Sequence, residues 1–512
     1  MNVMKQALAI GILSTAVVSL PSVAAFAPRP LPPPPPPRNP PPPTVETGAL
    51  DDTLATIIQN QGLTGVIPAA EHQPHISDPI AQLGMKLFFT KGIGGEKSVA
   101  CASCHHPSLG GTDSLSLAVG VNAVREDVVG PGRRPVDEEI NIPRNSPTVF
   151  NTGLAPRALF WDGRVERVTQ TQPDGSVATG VSTPDSGLGV IDVAVPDNLV
   201  DALSRFPVTS TEEMRGTGFP EATTTAEIRQ HIASRIGDYG SEEGDLATND
   251  WLTEFRSAFN SNESRESLIT FDSVAMALSS YQQSMTFVDT DWHRYVRGDK
   301  AALNDAQKRG AVLFFTPQNQ GGAGCVGCHS GERFTNDGFF NLAFPQLGPG
   351  KEADHSDKGR GLLSNVPRDQ FAFKVPSLIN VSLTAPYGHA GAYRNLPEVV
   401  RHYTNPPASV DAFFARGGAC SLRQFSRFTD CETLNQNAIE NSEEALRLLG
   451  QSPFQPARLN QAQQQDLVAF LESLTDHCAK DKTCISQFIP SNQQTNPDNL
   501  RLNATDGRGN PL

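Results

Sequence analysis

Positive charge is short in this chain of 512 residues: 41 lysines and arginines face 55 aspartates and glutamates, for a formal net charge of −14. That balance argues against nucleic acid as a partner and suits charge-steered docking on a basic protein. Long apolar runs are scarce as well, and beyond residues 7–20 nothing reads as a membrane span. Methionine is rare, and none follows Met285. Histidine is missing from the whole stretch between His106 and His231. These two gaps remove thioether and imidazole, two of the common metal-ligand types, from long stretches of chain.

The single apolar run belongs to an expected export signal, residues 1–25. Lys5 supplies its positive start, and Val23-Ala24-Ala25 offers small residues for cleavage. A proline-rich stretch, residues 26–47, reads as a stiff linker. Export leads to an oxidising compartment, and the expected location is the periplasm.

Eight cysteines are present. Four fall in two CxxCH motifs, Cys101-Ala102-Ser103-Cys104-His105 and Cys325-Val326-Gly327-Cys328-His329. This spacing sets two thiols to add to the vinyl groups of one haem, with the adjacent histidine as proximal iron ligand. Two covalently bound haem c groups are therefore expected, held by Cys101, Cys104 and His105 and by Cys325, Cys328 and His329. The other four cysteines allow three pairings; short loops favour Cys420–Cys431 and Cys478–Cys484 as structural disulfides.

The surroundings of the two motifs repeat. Gly84-Met85-Lys86-Leu87-Phe88-Phe89-Thr90 precedes the first and Gly310-Ala311-Val312-Leu313-Phe314-Phe315-Thr316 the second, each reading as the end of an amphipathic helix. Asn304 to Gln307 carries a capping-box signature at the start of the second helix. Pro147-Thr148-Val149-Phe150-Asn151 leads to Trp161-Asp162-Gly163, and Pro376-Ser377-Leu378-Ile379-Asn380 leads to His389-Ala390-Gly391. The expected fold is mostly α, with two cytochrome c-like haem domains related by duplication and joined by long loops. Residues 48–294 form the first domain, 295–478 the second, and 479–512 a polar tail. A helix near Asp466 to Leu474 is expected to close the second domain. The Trp161/His389 divergence suggests that the two haems do different work.

The stretches LGMKLFF, CASCHHPSLGGTD, RNSPTVFN, LFWDGR, FPVTSTEEM, GCVGCHSGERFTNDGF and FKVPSLINVSLTAPYGHAG resemble the bacterial dihaem cytochrome c peroxidase family, including its MauG branch, over about residues 78–475. The resemblance implies an oxidoreductase that meets hydrogen peroxide at the N-terminal haem and relays electrons through the C-terminal one. Trp161 matches the tryptophan between the haems. His389 is expected at that same interface. A calcium ion is implied near Asn145 and the backbone carbonyls of Thr384 and Pro386, an all-oxygen set that suits a hard cation. Asn145 as a plain turn residue ahead of Ser146-Pro147 is the alternative. The segment around Glu213 resembles the one that holds the family's catalytic glutamate, and the placement directly before methionine favours Glu213 over Glu212.

Two departures from the pattern carry information. Many family members have a distal histidine sixteen residues beyond the first proximal one, and here that position is Val121. The first haem is then expected to lack a protein sixth ligand, unless His72 or His75 reaches it from afar. His106, next to the proximal ligand, reads as solvated or bonded to a propionate. The family's second distal ligand falls fourteen residues past the histidine of PYGHAG, at Tyr403, with neighbouring His402 as competitor. Phenolate favours oxidised iron more than thioether does.

The main expectation is peroxide reduction with electrons from a small periplasmic cytochrome c or copper protein. MauG-type oxidation of a partner protein is the second, and a non-enzymatic dihaem electron carrier the third. A homodimer is left open. Residues 170–189 and the segment around Cys420–Cys431 have no assigned role.

Overall fold

The computed structural model describes residues 47–512 apart from Pro173. The expected signal and, save for Thr47, the proline-rich linker lie outside the described residues. Residues 46–512 cluster as one compact unit.

The duplication appears as a repeated pair of crossed helices. After α1 (Thr47–Gln61), helix α2 (Pro79–Phe89) packs on α3 (Phe271–Ser284). Past the short α4 (Asp291–Val296), α5 (Asp305–Phe315) lies across both α1 and a late helix, Gln461–Glu472. Asn304 accepts from the Gln307 N–H while the Gln307 side chain accepts from the Asn304 N–H, so the predicted capping box closes α5. Asn460 and Gln463 repeat the device on the late helix, which therefore begins earlier than the expected Asp466.

Glycine decides both crossings. A Cβ on Gly84 would sit 1.8 Å from the Ala277 carbonyl oxygen, and one on Gly310 2.0 Å from that of Asp466. These are corresponding positions in the repeat, and neither crossing can hold a side chain. Each helix then ends in an extended threonine, Thr90 or Thr316. The CxxCH segments that follow coil into single tight turns, with the His105 N–H on the Cys101 carbonyl (3.0 Å) and the His329 N–H on that of Cys325 (2.9 Å). Further on, Asn151 and Asn380 both adopt left-handed backbone, φ 61° and 65°, which asparagine tolerates. Both side-chain amides donate to one carbonyl, that of Phe287.

Two apolar clusters result. The first gathers Phe88, Phe89, Trp251, Phe255 and Tyr281; the second gathers Trp292, Tyr295, Phe314, Phe315, Phe334 and Phe470. Residues 479–512, read from sequence as a polar tail, fold onto the first cluster through Ile485, Phe488 and Leu502. The Asp498 carboxylate accepts from Thr90 and from the Trp251 indole. The polar average of that stretch conceals its few buried positions. Strand appears where no assignment was made: Ala158–Leu159, Val165–Thr171 and Val177–Ser182 pair antiparallel in the order β1-β2-β3, so residues 170–189 build much of a hairpin. Cys420–Cys431 and Cys478–Cys484 are both bonded, and the four CxxCH thiols are free.

Gly310→Ala should lower stability by about 1–3 kcal/mol through overpacking at the helix crossing. Gly48→Ala, at an exposed helical site with nothing within 4 Å of the new methyl, should leave it unchanged or raise it slightly. Denaturant melts of the two variants decide the point, and equal midpoints would remove the argument.

Candidate functional site

Both CxxCH turns open into one cavity of about 1290 Å³. Cys101, Cys104, His105, Cys325, Cys328 and His329 all line it. Burial pushes the Cys101, Cys104 and Cys325 thiols up to about 12 and the two imidazoles down to about 4. The rings are therefore neutral, the state a metal needs. His329 Nδ1 lies 3.0 Å from the Phe334 carbonyl and His105 Nδ1 3.3 Å from that of Gly111. A carbonyl can only accept, so each Nδ1 carries the proton and each Nε2 keeps its lone pair for the cavity. Unpaired thiols, a neutral imidazole fixed in one tautomer and a largely apolar space between them fit covalently bound haem.

The first module's open side is shaped by two segments. Residues 113–121 follow the motif; the Thr211–Arg215 turn holds Glu213, whose N–H donates to its cap, Ser210. They meet at Gly120, where a Cβ would lie 2.0 Å from the Glu212 carbonyl oxygen, and at the Val121 N–H, which points to that same oxygen. Glu213 lines the cavity, and burial pushes its carboxyl up while Arg164 and Lys351 draw it back. Glu212 is exposed and lies beside the Ser210 hydroxyl. Among the described residues only His105, His329 and His389 line the cavity; His72 and His75 are exposed and outside it.

One expectation is corrected here. His106 is neither solvated nor placed at the cavity. It is fully buried, its ring set edge-on to Phe89 at 5.6 Å, and its Nδ1 accepts the Ser108 N–H. The bridge between His106 and Thr112 turns the chain inward just after the proximal ligand.

Between the modules lies a polar network that sequence reasoning missed. Arg144 grips Asp357 with two bonds, at 2.6 and 2.8 Å, and Asp162 with a third at 2.6 Å. Asp162 follows Trp161, and Arg144 precedes Asn145. The Trp161 indole donates to the Asn145 carbonyl (2.9 Å), and the Asn145 N–H donates to the carbonyl of His389 (2.8 Å). The Gln346 oxygen takes the Asp357 N–H, so its amide nitrogen donates to His389 Nε2 at 3.1 Å and leaves the His389 proton on Nδ1. The His389 ring stacks on Phe373 at 3.9 Å. Trp161, Asn145, Thr384, Pro386 and His389 share the cavity wall with both motifs. The Asn145 amide nitrogen donates to the Leu115 carbonyl, which leaves its oxygen for another partner. The only early sign of this network was the charged residue beside each motif tryptophan and asparagine.

In the second module, helix Leu396–Thr404 carries both alternative ligands. His402 turns into the core. Its Nε2 donates to the Leu342 carbonyl and its Nδ1 accepts from the Tyr393 hydroxyl, both at 2.8 Å, so neither nitrogen is left. Tyr403, a hundred degrees further around, lines the cavity between Phe344 and Phe454, and its hydroxyl has no hydrogen-bond partner among the described residues. Burial and the Cys325 and Cys328 thiols push that hydroxyl's pKa up.

Residues 78–301 match the family described as di-haem cytochrome c peroxidase. The chain is 28% identical over 337 residues to the methylamine utilization protein MauG of Methylorubrum extorquens, spanning 66% of this chain and 71% of that protein. It is 26% identical over 325 residues to the cytochrome c551 peroxidase of Pseudomonas aeruginosa, 64% of this chain and 71% of that protein. In fold it resembles the crystal structure of a MauG-like protein associated with microbial copper homeostasis, with a TM-score of 0.50 and 20% identity over 81% of this chain and 96% of the other.

Arg144→Gln should cost about 3–5 kcal/mol near neutral pH, because it strands the buried Asp357 carboxylate and leaves Asp162 with only Arg164 and the more distant Lys351. Arg144 holds Asp162 and Asp357 well below the usual carboxylate range. Their contribution is present above about pH 4, the unfolded value, and fades as pH falls below it. The stability gap between wild type and variant should therefore narrow in acid; a gap constant from pH 7 to pH 3 would refute the ion-pair account.

Proposed function

Because the chain belongs to the di-haem cytochrome c peroxidase family, we infer that it is an oxidoreductase that carries two covalent haems and reduces hydrogen peroxide. The observation that carries this reading is the single cavity lined by both CxxCH turns, with Trp161 on the wall between them. Cys101, Cys104 and His105 would hold the peroxide-meeting haem, and Cys325, Cys328 and His329 the electron-relaying one. When bound, haem supplies the iron redox chemistry that peroxide cleavage requires.

The chain's residues supply the rest. Cleavage needs a group that takes a proton from the near peroxide oxygen and gives it to the far one. Glu213 is that group. Its burial keeps the carboxyl able to hold a proton, and the neighbouring cations keep it able to release one. Val121, at the family's distal position, packs on the first apolar cluster, and among the described residues no histidine other than His105, His329 and His389 lines the cavity, which supports an open first site for peroxide. Trp161 conducts electrons across the module boundary. Tyr403 would help hold the second haem alongside Cys325, Cys328 and His329; its place on the cavity wall, its unpartnered hydroxyl and the engagement of His402 support it. The Asn145 side-chain oxygen and the carbonyls of Thr384 and Pro386, none of them bonded to another of the described residues, would serve a calcium ion. The electron donor is a small cytochrome c or copper protein in the periplasm, and the −14 net charge suits a basic one.

A second reading keeps the site and changes the reductant. With Tyr403 in place of a thioether, oxidising equivalents are held more readily at the second haem, which favours MauG-type oxidation of a partner protein. A plain electron carrier would have no use for the acid-base residue at an open first site.

Peroxide-dependent oxidation of reduced cytochrome c by the holoprotein is the direct assay. Glu213→Gln should slow it by about 10²–10⁴-fold with resting haem spectra intact; wild-type turnover in this variant would remove Glu213 from the reaction. Tyr403→Phe should alter the electronic and paramagnetic spectrum of the second haem alone. A change confined to the first would overturn the ligand assignment.

A further inference from the structure

Behind the second proximal histidine lies an aromatic column that the reading above does not use. The Phe334 carbonyl accepts from His329 Nδ1, and the Phe334 ring stands edge-on to Trp292 at 6.3 Å. Trp292 is fully buried; it stacks on Phe315 at 5.3 Å and on Tyr295 at 6.0 Å, and its indole N–H has no partner. The Tyr295 hydroxyl donates to the Asp51 carboxylate of α1 at 2.6 Å. Asp51 is partly exposed at the surface and paired with Lys308 at 2.8 Å. The exposed Lys300 places its ammonium 4.2 Å from the Tyr295 ring centre.

Tyrosine chemistry singles out this ring. Oxidising a phenol near neutral pH requires that its proton leave together with the electron, so a base must wait at the hydroxyl. Tyr239, Tyr281 and Tyr387 donate to backbone carbonyls, which cannot take a proton. Tyr393 donates to His402, an imidazole so buried that burial drives it down to about 4, with its other nitrogen on the Leu342 carbonyl, so a proton taken there does not reach solvent. Tyr403 faces the cavity with no base at its hydroxyl. Tyr295 alone donates to a carboxylate, and that carboxylate reaches solvent.

We propose that Tyr295, with Trp292 behind it and Asp51 in front, is a second redox-active site, through which a one-electron donor at the surface beside Asp51 feeds the second haem. The proposal rests on the peroxidase reading for its oxidant, hydrogen peroxide. Trp292 passes one electron inward. Tyr295 replaces it, giving its electron to the oxidised indole and its hydroxyl proton to Asp51, and becomes a neutral phenoxyl radical. The surface donor's electron and the proton returned from Asp51 restore the phenol. Two such rounds, with two protons from solvent, convert one hydrogen peroxide into two waters. Asp51 waits as an ionised carboxylate, its charge held by Lys308 and the phenol hydroxyl, and it can take the proton because a phenol losing its electron becomes a far stronger acid than a carboxylic acid.

Freeze-quench electron paramagnetic resonance of the ferric holoprotein, mixed with peroxide and no donor, tests this, with stopped-flow spectra following the haems in parallel. Wild type should show a tyrosyl radical that narrows when tyrosine is ring-deuterated. Tyr295→Phe should abolish it with resting haem spectra unchanged, while Tyr239→Phe and Tyr393→Phe keep it. Asp51→Asn, which preserves the hydrogen bond but removes the base, should form the radical about a hundredfold more slowly. Reacting haems with no tyrosyl signal, or a signal that survives Tyr295→Phe, would overturn this site and leave the peroxidase reading standing. Haems that do not react with peroxide would overturn both.

Discussion

Arg144 carries a positive charge into the interior, where Asp162 from its own module and Asp357 from the other meet it. Placing three charges out of water is expensive, and a well-packed apolar substitute would often be as stable. What the ion cluster adds is position. Apolar surfaces slide past one another at little cost, whereas a bidentate guanidinium–carboxylate pair has one geometry. That geometry is passed along the chain in both directions. Asn145 and Trp161 lie next to the first two members, and the third, Asp357, sets Gln346 and through it the His389 ring. Asn145, Trp161, Gln346 and His389 on the wall between the two haem sites are thus all tied, directly or through a short chain of bonds, to a single side chain.

How legible this was depends on the range of the interaction. The repeat was readable because its causes are local. The helix ends and the capping box depend on a few neighbouring residues and occur as the sequence suggests, and the repeated glycines and asparagines take matching places in the two halves. The Arg144–Asp357 link joins residues far apart in sequence, and no local pattern distinguishes it from two solvated charges. The same limit hid the return of residues 479–512 to the first module. His106 failed for a different reason: adjacency to a ligand says nothing about which way the next turn sends a ring, and the bridge to Thr112 sends it inward. The choice between Tyr403 and His402 could not be made from sequence, since successive helical residues face different surroundings.

The segment around Cys420–Cys431 shows how an insertion can belong to a site it does not enter. Gln424 accepts the N–H groups of Ser116 and Leu117 and donates to the Leu117 carbonyl, at 2.7–3.1 Å. Leu422, Phe425 and Phe428 pack with Leu115, Leu117 and Val119 in one apolar cluster. The stretch that runs from the first CxxCH to Val121 is therefore held from both sides, its Ser116 and Leu117 backbone by the second module and its Val119 and Gly120 carbonyls by Arg133 of the first. A loop with its polar groups matched in this way has little reason to seek other partners, and its position against the Glu213 turn becomes a property of the whole assembly rather than of the first module alone.

The two positions where the duplicated halves diverge, Trp161 and His389, meet at one residue. The Trp161 indole donates to the Asn145 carbonyl, and the His389 carbonyl accepts from the Asn145 N–H. Equivalent positions that approach a common point between two repeats cannot carry identical side chains without competing for the same space and the same bonds. One copy became a large ring that presents its N–H; the other became a backbone acceptor whose side chain turns away to stack on Phe373. Asymmetry at that point is therefore a packing requirement of the duplication itself. It also leaves an indole at that junction on one side only, so that the two haem sites, alike in their attachment, differ in what lines the wall between them.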